Sequence, residues 1–117
     1  MTRAIAAARA FAEAAGLAAG QADKLAVVVE ECVANVVEHG GPPAGRLVAL
    51  GLERAAGAVR IRLSDAGIAF DPREAADEGP NLERGGGAGL ALIRAWTEIE
   101  DYRRSGGRNR LVLRLRS

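Results

Sequence analysis

Apolar residues recur along this chain first at a helical period and then at a strand period. From Arg3 to Ala15 the background is alanine-rich, with Ile5, Ala8, Phe11, Ala12 and Ala15 spaced for one helix face, and Gly16 follows as a stop. A second helix is predicted from about Gln21 to His39, ended by Gly40-Gly41 and barred from continuing by Pro42-Pro43. Arg46 to Glu53 and Ala58 to Ser64 read as strands joined by a turn at Ala55-Ala56-Gly57. In the second strand Val59, Ile61 and Leu63 alternate with Arg60 and Arg62, the pattern of a strand buried on one face. Leu90 to Thr97 reads as a short helix. Glu98 to Arg104 and Asn109 to Arg116 then form a hairpin around Ser105-Gly106-Gly107-Arg108, with Leu111, Leu113 and Leu115 on its core face. This order predicts an α+β two-layer sandwich, a mostly antiparallel mixed sheet covered on one face by helices.

Between the second strand and the short helix, residues 65–89 show no sustained period and carry much of the glycine, proline and charge. A stretch of that length inside a compact domain is usually functional or disordered.

Composition narrows the classes further. The 117 residues suit a single domain, 1–117. Hydrophobic residues at 49% and charged ones at 26% mark a globular chain, and a net charge of +1 provides no bulk field for nucleic acid or membrane. Lys24 is the only lysine, which reads as coding bias. One cysteine, Cys32, excludes an internal disulfide framework and a multi-cysteine metal site. No apolar run spans a bilayer, and the opening residues lack a signal-peptide core, so the expectation is cytoplasmic.

The second helix carries the first candidate chemistry. With Glu31 at zero on a helical wheel, Asn35 falls at about 40°, whereas Leu25, Val29, Cys32, Val33 and Val36 fall at about 100–200°. Glu31 and Asn35 thus share a face away from that apolar stripe, either as a solvated surface or as a base beside a hard-cation ligand. Magnesium takes oxygen ligands and commonly only one from protein, so one asparagine suffices. Glu30 lies about 100° from Glu31, which rules out a paired-carboxylate device. His39, near the helix end, suits capping or the surface, and Cys32 suits the core.

Two glycine loops add to this. Asp65 stands at a strand end, where its carboxylate could accept from an exocyclic amine, and Gly67 would let backbone approach a flat ring. Taken alone it is equally an acidic turn. Gly85-Gly86-Gly87-Ala88-Gly89-Leu90 opens a helix, where free N–H groups attract phosphate, although such loops serve as hinges just as often. No lysine follows these glycines, so the loop is not a Walker A motif.

Glu31-Cys32-Val33-Ala34-Asn35-Val36-Val37-Glu38-His39-Gly40, then Asp65-Ala66-Gly67-Ile68-Ala69-Phe70-Asp71-Pro72, then Gly86-Gly87-Ala88-Gly89-Leu90-Ala91-Leu92-Ile93 resembles the N, G1 and G2 boxes of the gyrase/chaperone/histidine-kinase/MutL ATPase superfamily. The short chain and the Phe70-Asp71-Pro72 run resemble its anti-sigma-factor serine/threonine kinases, the RsbW-like group. The resemblance covers about Ala4 to Leu115. It implies a Bergerat-type fold with ATP between the N-box helix and a lid at about residues 72–86. It also implies Glu31 as the general base, Asn35 as the Mg2+ ligand, Asp65 on the adenine amino group with Gly67 beside the ring, and Gly86, Gly87, Ala88, Gly89 and Leu90 as the phosphate loop. Partners by the same resemblance are a sigma factor and a STAS-type anti-anti-sigma protein, with homodimers common. Ala69 stands where many members have a second G1 glycine, Arg84 is one position from an expected lid residue, and the chain opens on a helix where relatives usually have a strand.

Three functions fit: a serine kinase switching a sigma-factor partner, an ATP-gated binding module without efficient transfer, and a detached histidine-kinase catalytic domain. The last lacks a phosphoacceptor histidine outside the N box. Trp96 reads as a core or interface anchor.

Overall fold

The computed structural model describes residues 2–39, 48–55, 57–67, 72–73 and 88–116. Helices α1 (Thr2–Ala15) and α2 (Ala19–His39) are followed by strands β1 (Ala49–Ala55) and β2 (Ala58–Asp65), helix α3 (Ala88–Trp96), and strands β3 (Thr97–Ser105) and β4 (Arg108–Leu115). The strands form one sheet in the order β1-β2-β4-β3, and every described pairing is antiparallel. This is the expected α+β fold, with helices on one face, and no parallel pair occurs among the described strands.

Local chemistry sets each boundary. Gly16 adopts φ 68°, its N–H reaches Glu13 O at 3.2 Å, and the Leu17 N–H reaches Ala12 O at 3.0 Å. That pair of bonds satisfies the last carbonyls of α1 and turns the chain into α2, while Leu17 packs on the core. Gly106 and Gly107 both have positive φ, 59° and 75°, as a tight hairpin of matching twist requires. Thr97, expected at the end of α3, instead begins β3, and its Oγ1 donates to Ile93 O at 2.5 Å to close the helix.

The core lies between the sheet and α1, α2 and α3. Val59, Ile61 and Leu63 from β2 and Leu113 and Leu115 from β4 meet Leu25, Val28, Val29 and Cys32 from α2 and Ile93 from α3. Burial on α2 extends to Val28, fully buried, which sits only about 20° on the wheel from Asn35. The buried arc is therefore wider than the stripe read from sequence. Besides the sheet, α2 packs against both α1 and α3, partners that a single-helix wheel does not contain. Trp96 packs half-buried against the core, with the Lys24 ammonium 5.9 Å from its ring centroid. No described helix is long and apolar enough to cross a membrane.

Candidate nucleotide-binding site

The period-2 register of β2 that turns Val59, Ile61 and Leu63 inward turns Asp65 inward too, and leaves it only 8% exposed. A carboxylate so placed needs donors. The Gly67 N–H donates to Asp65 Oδ1 at 2.8 Å, closing an Asx turn, and Asn109 Nδ2 donates to the same oxygen at 3.0 Å. Among the described residues no bond reaches Oδ2, and no buried side-chain polar atom is without a partner. Oδ2 is thus the oxygen left accessible.

Asn109 is itself held on every side. Its Oδ1 accepts from Tyr102 Oη at 2.5 Å and from Arg104 Nη1 at 3.0 Å, which fixes the amide so that Nδ2 faces Asp65. Arg104 Nη1 also donates to Gly67 O at 2.8 Å. The turn after β2 is thereby tied to both strands of the β3–β4 hairpin. None of these three residues stood out in the motif reading. The available signal was parity: Asn109 occupies the same face as Leu111, Leu113 and Leu115, and an asparagine among core positions requires partners.

Asn35 and Asp65 line one cavity, together with Asn109 and Tyr102, against an apolar wall of Cys32, Leu63, Ile93 and Leu111. Pro72 closes its rim, and Arg94 Nη2 on α3 donates to Pro72 O at 2.7 Å. A few polar groups on an apolar wall is the usual make-up of a small-ligand site. The interior measures about 40 Å3, well below the several hundred that a nucleotide occupies, so a ligand of that size must widen it.

Glu31 stands one turn before Asn35 and points elsewhere, at the start of α3. A Cβ on Gly89 would lie 2.1 Å from Glu31 Oε2 and 2.9 Å from its Cδ. Gly89 is therefore glycine because the carboxylate occupies the space a side chain would take. Both Glu31 and Asn35 are half-buried rather than solvated, which corrects the solvent-facing alternative. Burial, and secondarily the charge of Glu30, raises the Glu31 carboxyl above its ordinary value. Burial, then the Glu31 charge, pushes the Cys32 thiol up to about 12. Cys32 is thus an inert core thiol, as its position on the wheel suggested.

Of the remaining expected positions, α3 begins at Ala88, and Leu90 turns its side chain into the core, leaving its backbone N–H for the loop. Gly86, Gly87, Ala69, Arg84, the lid apart from Pro72 and Arg73, and the side chains of Glu38 and His39 lie outside the described residues. Among the described residues no cluster of three or more His, Cys, Asp or Glu could hold a metal. A cation here would depend on amide, phosphate and water oxygens.

Helices on one face of an antiparallel sheet, a polar-tipped cavity under the second helix and a glycine-opened third helix define a two-layer domain of the ATP-binding type. The chain belongs to the histidine kinase-like ATPase domain family, whose model matches residues 1–115. No curated protein matches it.

Proposed function

We propose that this domain is an anti-sigma-type, RsbW-like protein serine/threonine kinase that binds Mg-ATP and passes the γ-phosphate to a serine of a STAS-type anti-anti-sigma partner, thereby regulating a sigma factor. One observation carries the reading. The Glu31 carboxylate rests against Gly89 at the opening of α3, while Asn35, one turn on, lines the cavity that holds Asp65.

In this reading the adenine amine donates to Asp65 Oδ2, and the phosphates meet the free N–H groups that begin α3 around Ala88, Gly89 and Leu90. The half-buried amide of Asn35 suits magnesium, which would neutralise phosphate charge when bound. Glu31 accepts the proton of the acceptor serine. The serine oxygen bonds to the γ-phosphorus as the bond to the β,γ-bridging oxygen breaks, and ADP leaves. A raised carboxyl is the better base for this step.

Mg-ATP should raise the melting temperature of the purified protein, and labelled γ-phosphate should pass to the anti-anti-sigma-like product of a neighbouring gene. Glu31→Ala should retain the thermal shift and lose the labelling. Labelling at the wild-type rate in that variant would remove Glu31 from the chemistry.

A further inference from the structure

The face of the sheet away from the helices divides into two electrostatic halves. Toward the β1–β2 turn every charge has a partner. Glu53 lies 3.5 Å from Arg60, Arg60 lies 2.8 Å from Glu100, and Arg114 pairs with Glu98. Glu100 reaches Arg60 from the irregularity between Ile99 and Asp101 on β3.

The other half is different. Ala49, Ser64, Arg110 and Arg103 form one cross-strand row, and Gly51, Arg62, Val112 and Asp101 form the next. Arg103 pairs with Asp101 at 2.9 Å, and Arg62 shares Glu53 with Arg60. Among the described residues no acid pairs with Arg110, which is exposed and stands directly opposite Arg103. Like charges facing each other across strands destabilise a sheet. Small residues at Ala49 and Gly51, with Val112 between the arginines, leave a groove of about 370 Å3.

We propose that this groove docks an extended acidic segment of a partner protein, with Arg110 and Arg103 gripping its carboxylates. The planar guanidinium fork suits bidentate carboxylate pairing, and an anion between the two arginines relieves their repulsion. The outward positions of the described strands carry no aromatic side chain on which a nucleic-acid base could stack. A second copy meeting this groove through the same sheet face brings the same arginines, and the acids described on that face, Glu53, Glu98, Glu100 and Asp101, are already paired. The groove lies on the opposite face from the cavity, so docking does not depend on the nucleotide reading.

The test uses fluorescein-labelled octaglutamate, followed by anisotropy at low salt. Wild type should bind it with an affinity that falls as salt rises. Arg110→Glu and the milder Arg110→Ser should weaken binding, the reversal by roughly three- to thirtyfold, and Arg103→Glu should act alike. Arg114→Glu on the compensated half, and Asp65→Ala in the cavity, should leave it unchanged, with melting curves confirming that each variant folds. Binding no tighter than to octaglutamine, or an equal loss in Arg114→Glu, overturns the proposal. Tighter binding of a short single-stranded DNA overturns it in favour of nucleic acid. A wild-type dimer that becomes monomeric in Arg110→Glu overturns it in favour of a second copy.

Discussion

Gly89→Ala separates the chemistry of the candidate site from its stability. The new Cβ would stand 2.1 Å from Glu31 Oε2, against a comfortable contact of roughly 3.5 Å. The carboxylate must therefore retreat by more than about 1 Å, and it can, because it is the free end of a flexible side chain. Moving it off its preferred rotamer costs about 0.5–1.5 kcal/mol, while alanine in place of glycine returns about 0.8–1 kcal/mol of helix propensity. The two nearly cancel, so the melting temperature should move by no more than about 5 °C. A base displaced by an ångström, however, costs on the order of a hundredfold in transfer. Phosphate passage from labelled Mg-ATP to the partner serine should drop by that factor, with ATP binding little changed. The decisive measurement is the double-mutant cycle. In a Glu31→Ala background Gly89→Ala should do almost nothing further, because its effect runs through the carboxylate. Independent, multiplying losses in the double variant would refute this account, and so would a wild-type rate in Gly89→Ala.

Three further outcomes follow from the same geometry. Asp65→Ala should weaken ATP binding by about 1.5–3 kcal/mol, or roughly 10–150-fold by calorimetry, and an unchanged affinity would detach Asp65 from the adenine. Glu31 has a raised carboxyl, so its contribution to stability is complete below the ordinary value of 4.5 and is lost as pH rises through the folded value. Urea unfolding of Glu31→Gln should therefore gain on wild type across that window and keep the gain at neutral pH. Cys32, with its thiol at about 12, should resist alkylation by iodoacetamide in the folded protein and react once urea unfolds it.

Much of this architecture was legible because hydrophobic period and turn chemistry are local. The alternation of Val59, Ile61 and Leu63, the Gly106-Gly107 turn and the stop at Gly16 each specify their element without reference to the rest of the chain. What depends on two elements meeting was not legible. The wheel placed Glu31 and Asn35 together but could not show that α3 covers them, since the contact with Gly89 joins positions 58 residues apart. Asn109, Tyr102 and Arg104 escaped for the same reason. Asn109's partner Asp65 belongs to another strand, only the β2–β4 register brings the two opposite, and Tyr102 and Arg104 join them through Asn109 and Gly67 O.

That register gives the hairpin tip an influence well beyond its place at the surface. Asn109 faces Asp65 because the two-glycine turn sets β4 against β3 with Arg104 opposite Asn109 and Tyr102 opposite Leu111. A slip of one residue would send every β4 side chain through the sheet, taking Asn109 out of reach and placing Arg110 among the leucines. On the proposed reading of Asp65, substitutions at Gly106 or Gly107 would thus weaken ATP binding from the far end of the hairpin.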